Sequence, residues 1–201
     1  MGLRPWTDPD DGELRKVGLR RPRADAHHKG PRGSGNGLRD QGRERGSVTL
    51  AVVRVRGVIN VKNDIRDTLT MLGLGRVNHC VLISESPEHM GMLLKVKDYV
   101  TWGPIDADTA STLVKERGRL RGGHPLDDKA LKDLGKYKSF EDLGKALASG
   151  DANWSKMDST VRVFRLHPPR KGYEGIKRSY KMGGALGDRG EEINVLIQRM
   201  M

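Results

Sequence analysis

Residues 79–105 read "HCVLISESPEHMGMLLKVKDYVTWGPI" and predict a strand, a helix and a second strand in close succession. The apolar run at 79–84 favours a strand in the middle of a sheet. Ser86 followed by Pro87 is typical of a helix start, because serine caps free N–H groups and proline fits the first helical position. The run at 99–105 predicts another strand, which a Gly-Pro pair ends.

The preceding residues add a first strand and a first helix. "AVVRVRGV" at 51–58 alternates valine with arginine, which predicts a half-buried strand with Arg54 and Arg56 on its polar face. "NDIRDTLTMLGLG" at 63–75 has apolar residues at helical spacing, with Asn or Asp as the cap and glycine at the end. The element order is therefore β-α-β-α-β, which indicates an α+β domain.

Further elements follow this unit. The pattern predicts helices at 106–117, 139–149 and 191–200, a helical turn within 127–135 and a strand within 159–168. Trp102 and Trp154 are interpreted as packing residues rather than as platforms for bases. Cys80 is expected to be a buried thiol, and a single cysteine cannot form an intramolecular disulfide.

The chain of 201 residues divides into segments of different composition. Residues 1–49 hold 11 Lys/Arg, 7 Asp/Glu, 9 Gly and 4 Pro, a composition that predicts disorder. A start codon assigned too far upstream would also explain this extension, with Val48 as the candidate true start. The remaining segments are a core at 50–105, a helical insertion at 106–160, and a strand, basic tail and final helix at 161–201.

The charge indicates the kind of partner. The formal net charge of +11 and a pI near 9.9 favour binding to a polyanion. No apolar run approaches the roughly 20 residues that span a bilayer, so no membrane association and a cytoplasmic location are expected. Residues 162–189 carry 8 Lys/Arg against 2 Asp/Glu, which makes this stretch the most basic part of the chain.

The stretch 164–190, "FRLHPPRKGYEGIKRSYKMGGALGDRG", has no apolar period and mixes cations, tyrosines and glycines. This mixture is typical of segments that follow an irregular RNA surface, with charge for phosphates and aromatic rings for stacking. The predicted RNA-binding residues of this stretch are Arg165, His167, Arg170, Lys171, Tyr173, Lys177, Arg178, Tyr180 and Lys181.

The same stretch has too few apolar residues to offset the backbone entropy that ordering costs, about 1–2 kcal/mol per residue. We therefore expect it to be mobile in the free protein beyond Leu166 and to become ordered on RNA. The final helix is expected to return and to pack Ile193, Leu196 and Ile197 on the domain. Truncation after Leu166 would then leave the first strands and helices folded.

Other cations stand at predicted element ends. Arg54 lies near the end of the first strand, Arg56 follows that strand and Arg76 follows the first helix. All three are predicted RNA-binding residues, because an exposed guanidinium can bind phosphate. For Arg56 and Arg76 the alternative is a solvated surface arginine. The run "KERGRLRGGH" at 115–124 leads from a helix end into a Gly-Gly turn, and a solvated face is again the alternative to RNA contact. Its candidate RNA-binding residues are Lys115, Arg117, Arg119 and Arg121.

Motifs for catalysis or cofactor binding are weak in this sequence. "GLGR" at 73–76 and "GGALGDRG" at 183–190 lack the flanking elements of nucleotide-binding loops and are interpreted as turns. His27 and His28 are adjacent, without the spaced partners that a zinc site needs. We therefore predict no catalytic residues, no cofactor and no metal site.

At this point the motifs carry a resemblance. "VRVRG", "TLTMLGLGRVNH" and "SPEHMGMLLKVKDYVTWGPI" resemble the L-thirty family of large-subunit ribosomal proteins. "FRLHPPRKGYEGIK" and "GGALGDRGEEIN" are similar to its extended archaeal form, whose eukaryotic relative is called L-seven. The resemblance covers about 50–201. It implies a ferredoxin-like α+β fold, a three-stranded antiparallel sheet with two helices on one face, carrying helical and extended C-terminal additions.

The resemblance also implies a function. It predicts a non-enzymatic constituent of the large ribosomal subunit, present once per ribosome, that binds and braces large-subunit ribosomal RNA and contacts neighbouring ribosomal proteins. The small 5S-type RNA is a further candidate partner. A small ligand-binding regulatory domain is the alternative, because β-α-β-α-β sheets also host effector sites. The basic tail favours the RNA-binding hypothesis.

Overall fold

The computed structural model describes residues 48–133, 137–157 and 159–201. The predictions made for residues 1–47 lie outside the described residues. Thr49, assigned by the sequence to the extension, belongs instead to the first strand. The strands are β1 (Thr49–Arg54), β2 (His79–Ser84), β3 (Val100–Pro104), β4 (Val163–Arg165) and β5 (Gly187–Asp188). The helices are α1 (Asn63–Met71), α2 (Pro87–Val96), α3 (Ala107–Arg117), α4 (Asp128–Asp133), α5 (Phe140–Ala148) and α6 (Ile193–Met200).

The sheet has five strands in the order β4-β2-β1-β3-β5. β1 is antiparallel to both β2 and β3, which confirms the predicted three-stranded antiparallel unit. β4 extends the sheet beside β2, with His79 opposite Arg165. β5 extends it on the other side and is parallel to β3, with Thr101 opposite Gly187. The sheet is therefore wider than the predicted core because the C-terminal part of the chain supplies both outer strands.

The two helices of the β-α-β-α-β unit cover one face of this sheet. Leu69 of α1 and Leu93 of α2 pack with Val52 and Val81 in one apolar cluster. α2 begins as the sequence predicts, with Ser86 Oγ accepting a hydrogen bond from the His89 N–H at 3.3 Å. α1 begins at Asn63 with Lys62 in the N-cap position and no side-chain cap, so the predicted cap at Asn63 or Asp64 is wrong. The predicted α+β class with two helices on one face is confirmed.

The opposite face is covered as well. Val53 and Cys80 pack in a second cluster, and α3, α5 and α6 contribute its helical side chains: Ala110, Leu113, Val114, Leu143, Leu147, Ile193, Leu196, Ile197 and Met200. The predicted docking of Ile193, Leu196 and Ile197 is thus confirmed. Because these residues share a core with β1 and β2, we now expect truncation after Leu166 to destabilise the unit, in contrast to the expectation from sequence.

Two aromatic side chains complete this second cluster. Trp154 is fully buried, its Nε1–H donates to the Val161 carbonyl at 3.0 Å, and its ring stacks on Phe164 with 5.2 Å between centroids. Trp102 is buried on the other face of the sheet. The interpretation of both tryptophans as packing residues is confirmed. Cys80 is fully buried, and desolvation raises the pKa of its thiol to about 12.

Because both faces of the sheet are covered, β1 is more buried than the sequence predicts. All six of its residues are buried, so β1 is a central strand rather than a half-buried one. The prediction that Arg54 lies on an exposed polar face is wrong, since only 1% of its surface is exposed. Its guanidinium donates to the carbonyls of Leu74 at 2.6 Å and Arg56 at 2.8 Å, and burial lowers its pKa. Arg54 therefore holds the two loops that follow β1 and α1.

Close approach between backbones explains one glycine of β3. A Cβ at Gly103 would collide with the carbonyl oxygen of Gly190, in the short 3₁₀ turn Gly190–Glu192 that precedes α6. The absence of a side chain lets this turn lie directly on the strand. A Cβ at Gly91, in contrast, would meet nothing within 4 Å. The two glycines make a matched pair for substitution.

We expect Gly103→Ala to lower the free energy of unfolding by about 1–3 kcal/mol, because the added methyl group forces the turn away from β3. Gly91→Ala, within α2, should instead raise it by about 0.5–1 kcal/mol, since alanine is the better helix former. Urea unfolding followed by circular dichroism measures both. Equal stability of the two variants would contradict the described contact between Gly103 and Gly190.

Candidate nucleic-acid interface

Four strand termini meet at one end of the sheet. The register places Arg54 opposite Val100 and His79 opposite Arg165. The ends of β1 and β4 and the starts of β2 and β3 therefore lie together. The segments that continue from these termini carry cations, and we call this region the basic end, defined by Arg56, Arg76, Arg165, His167 and Arg170. Arg56 is half-buried and the other four are exposed.

The loops at this end are fixed by hydrogen bonds and ring contacts. The Arg56 guanidinium lies over the Tyr99 ring, 5.2 Å from its centroid, and Nη1 donates to the Asp98 carbonyl at 3.2 Å. The Asn78 N–H donates to the Arg54 carbonyl at 2.8 Å, which holds the α1–β2 loop against the end of β1. Arg56 is therefore held in place at the basic end.

The chain leaving β4 crosses the basic end in an ordered path. The Leu166 N–H donates to the Asn78 carbonyl at 3.1 Å, and the His167 N–H donates to the Met200 carbonyl at 3.0 Å. Arg199 Nη2 donates to the carbonyls of Arg170 at 2.8 Å and Gly172 at 3.1 Å. Segment 165–172 is thus tied to the α1–β2 loop on one side and to the end of α6 on the other.

The rest of the predicted tail, residues 173–190, is folded as well. Ala185 and Leu186 are buried against Val55, just past β1, and Tyr173 packs on this small cluster. A Cβ at Gly184 would collide with the backbone of Arg178, so the loop closes tightly on itself. The structure therefore gives this stretch packing contacts within the chain, contrary to the expectation that it is mobile beyond Leu166 until RNA binds. Its few apolar residues share a cluster with a residue from the start of the domain.

The two predicted stacking rings are engaged within the chain. Tyr173 Oη donates to Asn78 Oδ1 at 2.7 Å, and burial raises the pKa of its hydroxyl. The Tyr180 ring lies under the guanidinium of Arg189, 4.5 Å from the ring centroid. Both rings are half-buried, so neither is presented as a free stacking platform. The exposed cations of this part of the tail are Lys171, Lys177, Arg178 and Lys181.

The predicted residues of the 115–121 run are dispersed. Arg117 is half-buried, and its Nη2 donates to the Met201 carbonyl at 2.6 Å, so its side chain supports the end of α6. Arg119 is half-buried, its backbone bridging to Pro125. Lys115 and Arg121 are exposed. Of the four candidates, Lys115 and Arg121 are thus the ones exposed to a partner, and RNA contact by this run stays a prediction.

Sequence reasoning missed several residues that organise this region. His79 lies among arginines, and burial followed by the nearby charges of Arg165, Arg76 and Arg54 lowers the pKa of its imidazole. Its Nδ1 is buried without a hydrogen-bond partner in the described part of the chain. Asn78 and Arg199 bind the tail segment. Asn78 and His79 could have been noticed as polar residues opening an apolar strand, but the Arg199 contacts join distant positions.

His79 gives the stability a pH dependence whose sign follows from its lowered pKa. The imidazole in the unfolded chain takes up a proton near pH 6.5, whereas the folded state resists protonation until a lower pH. The free energy of unfolding should therefore fall as the pH drops below about 6.5. In His79→Gln this pH dependence should be smaller. Urea titrations at pH 7.5 and 5.5 test it, and an undiminished slope in the variant would contradict the assignment.

Charge of the opposite sign collects at the other end of the sheet. β1 starts there, and β2 and β3 end there, with the Ile105 N–H donating to the Thr49 carbonyl at 3.1 Å. Asn194 Oδ1 accepts the Asp106 N–H at 3.0 Å, which brings the start of α6 to the same place. The exposed carboxylates of this acidic end are Glu85, Asp106, Glu191 and Glu192. In the described part of the chain, the two ends of the sheet therefore carry charges of opposite sign.

The described residues offer little for other chemistry. No group of three His, Cys, Asp or Glu side chains in this part of the chain is arranged to hold a metal ion. None of the helices in the described ranges is long and apolar enough to cross a bilayer, and the longest, α3, has 11 residues. The feature that stands out is the cluster of exposed arginines contributed by separate segments.

The fold and this end of the sheet define a small basic α/β protein with a rigid surface suited to a polyanion. The family model for ribosomal protein L30p/L7e matches residues 50–100. The chain is 49% identical over 151 residues to the large ribosomal subunit protein uL30 of Methanoregula boonei, covering 75% of this chain and 98% of that protein. The chain belongs to this ribosomal protein family.

Two further relatives support the same family. The uL30 protein of Thermoplasma volcanium is 50% identical over 152 residues, which cover 76% of this chain and 92% of that protein. The uL30 protein of Methanopyrus kandleri is 47% identical over 149 residues, which cover 73% of this chain and 100% of that protein. The predicted family, in its archaeal form, is confirmed.

Proposed function

We propose that the chain is a structural constituent of the large ribosomal subunit and that its basic end binds large-subunit ribosomal RNA. One observation carries the proposal: exposed Arg76 of the α1–β2 loop lies at the same end of the sheet as exposed Arg165 and Arg170 of segment 165–172, beside half-buried Arg56 after β1. Family membership supports the same partner, since the relatives are named as proteins of the large ribosomal subunit.

The binding chemistry follows from the residue types. Each arginine that neutralises a phosphate releases condensed counterions, and its planar fork can donate two hydrogen bonds to one phosphate. Phosphate contacts set position and orientation, so recognition rests on the shape of the RNA backbone. Because segment 165–172 is held by Asn78 and Arg199, its cations lose less conformational entropy on binding than those of a mobile tail would.

The exposed side of the folded tail extends this surface. Lys177, Arg178 and Lys181 lie on the loop that packs against Val55, next to the basic end. In this proposal the protein braces RNA by holding segments of backbone at a fixed spacing, and no catalytic step is assigned to it. The 5S-type RNA is a further candidate partner, together with neighbouring ribosomal proteins, for one cytoplasmic copy per ribosome.

The alternative, a ligand-binding regulatory domain, has less support. A small-molecule site is usually a cleft or cavity of roughly 300–1,000 Å³, lined mostly by apolar side chains with a few polar groups. Two grooves of that size, one between α1 and α2 and one between α3 and the start of α5, are open and lined mainly by charged and polar residues. The enclosed cavity beside Trp154, lined also by Leu82 and Gly150, has a volume of only about 10 Å³, which is room for a water molecule. We therefore retain RNA binding as the proposed function.

Reassembly tests the proposal. Large-subunit particles depleted of their own uL30 protein are mixed with the purified chain and separated on a sucrose gradient at low and high salt. We expect one copy per particle to sediment with the subunit at low salt and to be released as salt rises, because the contacts are electrostatic. A chain that remains at the top of the gradient at low salt would overturn the proposal.

A further inference from the structure

An open groove lies between α1 and α2, on the two helices that cover one face of the sheet. Its volume is about 580 Å³, and it is lined by Asp64, Asp67, Thr68, Met71, Glu88, Gly91, Met92 and Lys95. None of these residues belongs to the basic end. The groove is therefore a second surface feature, which the proposed RNA contacts do not use.

The lining is acidic in a strongly basic chain. Three carboxylates, Asp64, Asp67 and Glu88, face one cation, Lys95, whereas the whole chain carries +11. Within the described part of the chain these three carboxylates make no ion pair or side-chain hydrogen bond. Their charge is thus unneutralised and exposed, and it repels phosphate. RNA is a poor occupant for this surface.

The apolar part of the groove is exposed as well. Met71 keeps 66% of its surface accessible, and Met92 is half-buried beside it. Gly91 also lines the groove and adds no side chain, and a Cβ there would touch nothing within 4 Å. Methionine side chains are flexible and adapt to different apolar partners, which suits a docking surface. A partner for this groove should therefore carry an apolar side chain between cations.

The length of the groove limits the motif. Its lining on α1 runs from residue 64 to residue 71, about 10 Å of helix. An extended peptide covers that distance with about three residues. The matching ligand is thus a short run with Lys or Arg on each side of a large apolar residue. Such runs are chemically suited to the three carboxylates at the rim and to the methionines between them.

We propose that the α1–α2 groove docks a Lys/Arg-rich segment of another protein, with one apolar side chain seated on Met71 and Met92. This inference goes beyond the proposed RNA binding and does not depend on it. It assigns the basic end and the helical face different partners: RNA at the arginines, and a basic protein segment at the carboxylates between α1 and α2.

A peptide titration of the ¹⁵N-labelled full chain tests the inference. The probe is the peptide Lys-Arg-Leu-Lys-Arg with blocked termini, and its matched control carries Ser in place of Leu. We expect amide shifts confined to α1 and α2, and roughly tenfold weaker binding in Asp64→Asn/Asp67→Asn/Glu88→Gln, since three exposed charge pairs are lost. The serine peptide should also bind more weakly.

The control variant is Asp108→Asn/Glu116→Gln/Glu191→Gln, which removes three exposed carboxylates outside the groove. It should bind the probe within twofold of the unmodified chain, because only local charges act strongly. Equal weakening in both variants, no peptide binding, or shifts outside α1 and α2 would overturn the inference. So would a decauridine oligonucleotide that shifts the groove amides more strongly than the peptide does.

Discussion

Replacing Arg76, Arg165 and Arg170 together with glutamine is expected to weaken binding to large-subunit ribosomal RNA by about 100-fold or more. Each exposed guanidinium supplies a charge-assisted contact to phosphate, and such contacts are each worth about 1.5–3 kcal/mol. The slope of log affinity against log salt should fall by about 2, since three fewer counterions are released. Filter binding between about 50 and 300 mM salt measures both quantities.

The matched control removes the same charge elsewhere. Lys138→Gln/Lys145→Gln/Lys156→Gln also lowers the net charge by three, at exposed positions outside the basic end. Its affinity should stay within a few-fold of the unmodified chain, because the phosphate contacts remain. If both triple variants lose affinity equally, binding depends on net charge alone and the basic end is not a defined interface. Circular dichroism confirms that both remain folded.

The second large effect concerns the final helix. Ile197→Ala is expected to lower the free energy of unfolding by about 2–5 kcal/mol, because Ile197 is fully buried between α6 and the sheet and its removal leaves a cavity. Val195→Ala, on the same helix but 51% exposed, should change it by less than about 0.5 kcal/mol. Urea unfolding of the full chain measures both variants.

This comparison decides whether the C-terminal part is an addition or a part of the core. If α6 did not contribute to the core, the two substitutions would both change the free energy of unfolding only slightly. A large loss in Ile197→Ala alone would show that the first strands need α6. The same reasoning predicts that a chain cut after Leu166 loses cooperative unfolding, because four buried residues of α6 leave the core: Ile193, Leu196, Ile197 and Met200.

The elements that the sequence predicts well are those set by neighbouring residues. The Ser86 cap and Pro87 start α2 through local hydrogen bonding and backbone geometry, so the local sequence is enough to predict where this helix begins. The Ser139 cap of α5 is of the same kind, with Oγ accepting the Asp142 N–H at 3.2 Å. The order of the first five elements follows from such signals and from apolar spacing.

The burial of Arg54 could not be predicted in this way. Alternation of valine and arginine normally indicates a strand with one face exposed to solvent. Here α1 and α2 cover the face of β1 that carries the arginine. The carbonyls that receive its guanidinium belong to Leu74 and Arg56, and Leu74 lies 20 residues away. The pattern therefore identified the strand correctly and its exposure wrongly, because exposure depends on what packs against the strand.

The packing of the tail, residues 173–190, could not be predicted for a related reason. Ala185 and Leu186 are two apolar residues in a polar stretch, too few to suggest a core by themselves. They are buried because Val55, 130 residues earlier in the chain, completes the cluster. Similarly, the tyrosines that resemble stacking platforms are engaged by Asn78 and Arg189. Identifying the basic residues was possible from sequence, whereas their convergence at one end required the register of the sheet.

Ultraviolet cross-linking of assembled large subunits tests the central claim most directly. Subunits containing this chain are irradiated, digested with nuclease and protease, and nucleotide-bearing peptides are located by mass spectrometry. We expect adducts within 76–79, 165–172 and the tail loop that packs on Val55. Adducts confined to the acidic end, around Glu85, Asp106 and Glu191, or to the α1–α2 groove, would contradict it.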